Sequence, residues 1–173
     1  MPPCRRPTAS PEEASRLEAL LEAKLEELFG TPSRRAVRAL DLGCGDGYAT
    51  RVVRRCLARV HPRGTLVALD RELTALAVAR REAAAGTTAP RWLAADLYAL
   101  PLPPACVDFA LAFNVFHGVD RGAFAEQVLG ILRPGGRLLV YDRAPHLRGG
   151  AARFAAIFDA PEVAALSRLP RRR

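Results

Sequence analysis

The chain predicts a doubly wound α/β domain, a mostly parallel sheet covered by helices on both faces. Three observations carry this expectation. Strand-like and helical runs alternate along most of the sequence, which implies right-handed strand–helix–strand units. The strand-like runs are nearly continuous in apolar residues, as parallel strands buried on both faces require. Acids and glycines collect at the carboxyl ends of those runs, where open α/β sheets bind ligands.

Taken in order, Ser10-Pro11-Glu12-Glu13 forms a capping box, with Ser10 as cap and Pro11 in the first turn. Leu17, Leu20, Leu21, Leu25 and Leu28 follow at helical spacing until Gly30 and Pro32 stop the helix. One leucine face must pack on something, most simply the mouth of the α/β core. Strands are expected at Val37–Leu42, Thr65–Asp70, Arg91–Ala95, Val107–Asn114 and Arg137–Tyr141. Helices are expected at Gly47–Val60, Glu72–Ala85 and Arg121–Leu132. The remainder reads as helix-prone, over Ala151–Phe158 and Pro161–Ser167, with no further strand.

The most informative stretch is Leu40-Asp41-Leu42-Gly43-Cys44-Gly45-Asp46-Gly47. A strand entering a glycine turn and then a helix brings backbone close to a polar cofactor. A dinucleotide fingerprint, G-x-G-x-x-G, needs a glycine at position 48, but Tyr48 stands there. The spacing G-x-G-x-G, with an acid two residues before the first glycine, resembles motif I of class I S-adenosylmethionine (SAM) methyltransferases.

Other segments resemble the same superfamily in its order. Leu66-Val67-Ala68-Leu69-Asp70 ends the second strand in an acid. A carboxylate there can accept hydrogen bonds from both ribose hydroxyls, although Asp70 can also cap the next helix. The resemblance gives Asp96 the adenine amino group and the backbone of Leu97 the ring; Asp96 can equally form a turn. Arg71 either flanks the adenine or is solvated. The segment Val107 to Asp120, with Asn114 and His117 in its exit loop, looks like the ubiquinone/menaquinone-biosynthesis type, with Gly118 where a second histidine is usual. Leu132-Arg133-Pro134-Gly135-Gly136 completes the match as the turn into strand five. The resemblance covers about residues 36 to 142. It implies a Rossmann-like SAM-methyltransferase sheet of strand order 3-2-1-4-5. It further implies SAM as cofactor, held by Asp41, Gly43, Cys44, Gly45, Gly47, Asp70, Arg71, Asp96, Leu97 and Asn114. The family's terminal strands six and seven are not visible in the pattern, so strand five is expected to leave an edge that must be covered or paired.

Composition bounds the rest. The chain has 173 residues, half of them hydrophobic and a quarter charged, enough for one domain with its own core. The boundaries read as a disordered stretch over 1–9, a helix over 10–30, the SAM-binding domain over 31–145 and a helical tail over 146–173. No apolar stretch approaches the ~20 residues of a membrane span. The first residues lack the apolar core of a secretory signal, and Glu12, Glu13 and Glu18 argue against a transit peptide, so cytoplasmic is the expected location. Cys4, Cys44, Cys56 and Cys106 show neither a C-x-x-C pair nor companion histidines, which disfavours a metal site. Cys44 reads as a small residue inside the turn. The net charge is +8, with Lys24 the only lysine. The arginine clusters at Arg5-Arg6 and Arg171-Arg172-Arg173 read as solvated tails rather than a nucleic-acid site.

Methyl transfer from a sulfonium needs acceptor and methyl carbon held in line and water excluded; it needs neither nucleophile nor metal. A base helps where the acceptor is a hydroxyl or an activated carbon, and His117 is the candidate. The segment Asn114-Val115-Phe116-His117 lacks the (D/N)-P-P-(Y/F) pattern of nucleobase amino-methyltransferases. Cys106 stands at the wrong end of its strand for base C5 chemistry. A small-molecule methyl acceptor is the expected partner, with protein or RNA methylation left open. The competing reading is a non-catalytic SAM-fold partner or activator subunit, and strand five offers a surface for a homo- or hetero-oligomer.

Overall fold

A computed structural model describes residues 11–83, 89–143 and 153–167. The stretch 1–9, the cap residue Ser10, Cys4, the end of the 72–85 helix at residues 84–85, and the basic tip at 171–173 lie outside the described residues.

The element order is α1 (Pro11–Phe29), β1 (Arg38–Leu42), α2 (Tyr48–Val60), β2 (Thr65–Asp70), α3 (Leu73–Glu82), β3 (Arg91–Ala94), β4 (Val107–Phe113), α4 (Arg121–Ile131), β5 (Leu132–Arg143), β6 (Arg153–Asp159) and α5 (Ala160–Ser167). The strands form one six-stranded sheet of order β3-β2-β1-β4-β5-β6. The first five are parallel to their neighbours, and β6 runs antiparallel to β5. The doubly wound order 3-2-1-4-5 expected from the sequence is therefore present.

Two expectations are corrected. The sheet does not end at β5, because Arg153–Asp159, inside the stretch expected to be helical, pairs with Arg137–Arg143 over seven registers. A bare β5 edge offers its unpaired amides and carbonyls to any strand that can reach it. That pairing outweighs the helical preference of alanine. The helix that follows, α5, begins with a reciprocal cap. The Asp159 amide donates to Glu162 Oε2 at 2.8 Å, and the Glu162 amide donates to Asp159 Oδ1 at 3.0 Å.

The second correction concerns α1. Its Leu21, Leu25, Leu28 and Phe29 do not close over the mouth of the sheet. They lie along one face, packed with Val52, Val53, Cys56 and Leu57 of α2 and with Phe109 and Leu139 of the sheet. Arg55 bridges Glu18 and Glu22, and Arg59 meets Glu26, so α1 and α2 run side by side in the same direction. Arg137, near the start of the regular part of β5, donates to the Leu28 carbonyl and sits 5.7 Å over the Phe109 ring. The carboxyl end of α1 is thereby fixed at the strands' amino ends.

The opposite face is filled by α4 and α5, whose Phe124, Ala125, Val128 and Val163 are buried against Leu40, Leu42, Leu138 and Val140. Arg133-Pro134-Gly135-Gly136 makes a detour at the start of β5. Val107 is opposite Leu132 while Phe109 is opposite Arg137. Asp108, buried there, accepts from Arg35 Nη2 at 2.6 Å and from the Arg38 amide at 2.8 Å, with Arg133 Nη1 at 3.3 Å. This clamp ties the chain leading into β1 to the base of β4 and leaves the carboxyl ends of the strands clear.

Candidate active site

The residues singled out by the sequence converge at the carboxyl ends of the central strands. Asp41 lies within β1, Gly43 to Gly47 follow it, Asp70 ends β2, Asp96 and Leu97 follow β3, and Asn114 follows β4. Because β3, β2, β1 and β4 are neighbours in that order, these groups form a row. At about 4.8 Å per strand spacing the row spans roughly 14 Å, the length of an extended ligand rather than of a single ion.

The glycine turn is built for close approach. Gly43 has φ +69°, and a Cβ there would meet Val115 Cγ2 at 2.6 Å, so only glycine fits both the backbone and the space. Gly45 has φ +53°, but a Cβ there would meet nothing within 4 Å. That position faces open space, where a ligand can meet bare backbone. Cys44 is held in the turn through its amide, which donates to the Leu69 carbonyl at 2.9 Å. Burial, with Asp41 and Asp70 nearby, pushes its thiol pKa up, so it is a protonated small side chain rather than a nucleophile.

Asp70 grips the turn from the neighbouring strand. Its Oδ2 accepts the Gly45 amide at 2.8 Å and its Oδ1 accepts the Glu72 amide at 2.9 Å. The cap position of α3 is Glu72, so Asp70 acts through the turn rather than as the helix cap. Each carboxylate oxygen has room for about two hydrogen bonds, so both can also accept from a ligand. Asp41 is fully buried; its Oδ2 accepts the Thr50 hydroxyl at 2.5 Å, while its Oδ1 meets no donor. Burial pushes its pKa up to about 7, partly offset by the Thr50 bond and reinforced by the nearby charge of Asp70. An orphaned carboxylate oxygen beneath an open glycine turn fits a ligand that brings a donor or a positive charge.

Further along the row, Asp96 Oδ1 accepts the Tyr98 amide at 2.9 Å and closes a turn, while Leu97 is half-buried beside the apolar layer of α4. Arg71, directly after the tip of β2, is exposed and 3.6 Å from Glu72. Asn114 has φ +55°, a conformation few non-glycine residues adopt, and its amide donates to the Tyr141 carbonyl at 2.8 Å.

At the β4–β5 end, the structure adds a residue the sequence reading did not single out. His117 sits in a 3-10 turn, Phe116–Gly118, and the fully buried Asp142 of β5 holds it twice. The His117 amide donates to Asp142 Oδ2 at 2.9 Å, and its ring Nδ1 is 2.7 Å from Oδ1. A carboxylate in that position accepts a hydrogen bond from Nδ1–H, so that in the neutral ring Nε2 is the acceptor nitrogen. No local motif marks Asp142; its meaning depends on β4 and β5 being neighbours. Tyr48, Phe113 and Tyr141 contact one another in series, with ring centroids 5.8 Å and 5.1 Å apart; Tyr48 and Phe113 pack against the cluster of α1 and α2, and Tyr141 is buried. A cavity of about 400 Å³ opens at the other end of the strands, around Arg38, Thr65, Arg91 and Val107, remote from this row. Among the described residues no group of His, Cys, Asp and Glu could hold a metal ion, and no helix is long and apolar enough to cross a membrane.

Comparison with known proteins agrees with this geometry. A family model described as a methyltransferase domain matches residues 40–140. The demethylmenaquinone methyltransferase of Thermus thermophilus is 34% identical over 116 residues, which are 65% of this chain and 50% of that protein. The malonyl-[acyl-carrier protein] O-methyltransferase of Enterobacter lignolyticus is 37% identical over 122 residues, 68% of this chain and 45% of that protein. The chain thus spans about half the length of the curated relatives it matches. A SAM-dependent methyltransferase from Aquifex aeolicus has the same fold, with a TM-score of 0.62 at 22% identity, covering 84% of this chain and 79% of its own.

Proposed function

We propose that this chain, which belongs to the methyltransferase domain family, binds SAM along the strand tips and directs its methyl group to a small apolar acceptor. SAM supplies an electrophilic methyl carbon on a sulfonium with a neutral leaving group. The observation that carries the reading is the row itself: an open glycine turn over the orphaned Oδ1 of Asp41, gripped from β2 by Asp70.

The residues divide the work by position. Asp70, at the tip of β2, suits a vicinal diol such as ribose, because its two oxygens diverge from one anchored carboxylate. Asp96 and the Leu97 backbone, at the tip of β3, suit the adenine end. Asp41 and the backbone at Gly43, Gly45 and Gly47 suit the charged amino-acid end, with Cys44 keeping the turn narrow. Asn114 lies at the tip of β4, between the cofactor row and His117.

The acceptor belongs at the β4–β5 end. The partly exposed rings of Tyr48, after the glycine turn, and Phe113, at the end of β4, offer aromatic surface near the strand tips, which suits a flat or apolar body. His117, held by Asp142 with Nε2 as acceptor, can take the proton that a hydroxyl or activated carbon loses as it is methylated. The two relatives named above act, by their names, on demethylmenaquinone and on malonyl-[acyl-carrier protein]. Both support an acceptor that is a small molecule or a small group on a carrier. The competing reading, a non-catalytic partner subunit, drew on missing terminal strands, and β6 supplies one of them.

Radiolabelled SAM incubated with the chain and a fractionated small-molecule extract tests the proposal. Label passing into an organic-soluble product, and its loss in His117→Ala with SAM binding retained, is the expected result. Label that stays on SAM in every fraction rejects it.

A further inference from the structure

We propose that the outer edge of β6 pairs with β6 of a second copy of this chain, joining two sheets into one across a twofold axis. The proposal is independent of the methyl-transfer reading. Strand β6 ends the sheet, and its inner side is fully used by β5. The helix after it turns inward: Val163 of α5 is buried in the cluster that holds Phe124, Ala125 and Val128 of α4. Nothing among the described residues pairs with the outer side of β6, and residues 155–158 are half-buried. A seven-residue strand whose outer backbone groups have no strand partner among the described residues, with an apolar sequence, is an edge that proteins normally cover.

The sequence of this edge says what covers it. It reads Arg153-Phe154-Ala155-Ala156-Ile157-Phe158-Asp159. Antiparallel pairing with itself about Ala156 sets the position of Arg153 opposite Asp159 of the second copy, and the same pair recurs at the other end. Phe154 stands opposite Phe158, Ala155 opposite Ile157, and Ala156 opposite itself. In this register the sequence positions at both ends carry opposite charges, an aromatic position falls opposite an aromatic one, and an alanine position lies on the axis. A register shifted by two residues loses both charge pairs. Parallel pairing in register sets like charges opposite each other at both ends. The strand is thus complementary to itself in one arrangement, and that arrangement is closed, as a twofold dimer must be.

Sedimentation velocity on the full 173-residue chain across the micromolar range tests this. The wild type is expected to sediment as a dimer that dissociates on dilution. Arg153→Asp and Asp159→Arg each place like charges at both ends and should weaken the dimer by at least about tenfold. The double variant Arg153→Asp/Asp159→Arg restores opposite charges and should restore the dimer. Because Asp159 also caps α5, Arg153→Gln and Asp159→Asn serve as milder variants; both remove a charge, and asparagine keeps a cap acceptor. They should weaken the dimer without loss of helical circular dichroism. A wild type that is monomeric at every concentration, a dimer indifferent to the single reversals, or a double variant that stays monomeric overturns the proposal.

Discussion

Gly43 and Gly45 separate two jobs within one turn. Alanine at Gly43 adds strain at positive φ and a 2.6 Å contact with Val115. Gly43→Ala should therefore cost about 2–3 kcal/mol of folding stability, read by chemical denaturation. A Cβ at Gly45 meets only open space in the protein, so Gly45→Val, beyond the strain its positive φ imposes, should weaken ligand affinity, read by calorimetry with SAM. The reverse pattern would mean that the turn faces the other way. Asp41 carries a pH signature. Its folded pKa is raised to about 7 from 3.8, so between those values the folded chain holds a proton that the unfolded chain has released. Stability should fall as pH rises through that window and level off above about 7. The stability difference between wild type and Asp41→Asn should shift by roughly 2–4 kcal/mol across it. A difference that is flat with pH would show that Asp41 ionises at its ordinary pKa. Asp41, Asp70 and the glycines were legible in the sequence because their spacing is local. Asp142 was not, because only the pairing of β4 with β5 brings it to His117.

At the scale of elements, the strands and helices from Pro11 to Ile131 follow the sequence patterns to within a few residues, because local periodicity and tertiary burial agree there. Strand β6 shows where they part. Its alanines favour a helix locally, and the decisive partner, the edge of β5, is remote in sequence and invisible to a periodicity argument. Removing residues 146–173 should therefore speed hydrogen exchange at the amides of Leu138 to Tyr141 that face β6. Unchanged protection there would mean that β6 does not cover the edge. Helix α1 was legible as a helix, but its docking site was not, since leucine spacing names a face and not its partner. Deleting residues 1–30 should expose the apolar surface against which Leu21, Leu25 and Leu28 pack. The expected result is aggregation or dye binding by apolar surface, with loss of SAM affinity only as a consequence of unfolding. A stable, monodisperse deletion protein would contradict the packing of α1 along the sheet face.

For the whole molecule, the two ends of the sheet have separate tasks. At the amino ends of the strands, the Asp108 clamp and the Arg137 contact with α1 hold the layers together. At the carboxyl ends, the Gly45 position faces open space, and folding alone gives no reason to keep the buried Asp41 Oδ1 without a donor. The central claim is that this end holds SAM with Asp70 as its anchor. Isothermal titration of SAM into the wild-type chain and into Asp70→Ala tests it most directly. The account predicts one SAM per wild-type chain and an affinity about ten- to a hundredfold weaker in the variant, the loss of a charge-assisted hydrogen-bond pair. A wild-type chain that gives no binding heat and no melting shift with SAM, or an Asp70→Ala protein that binds it unchanged, would contradict the account.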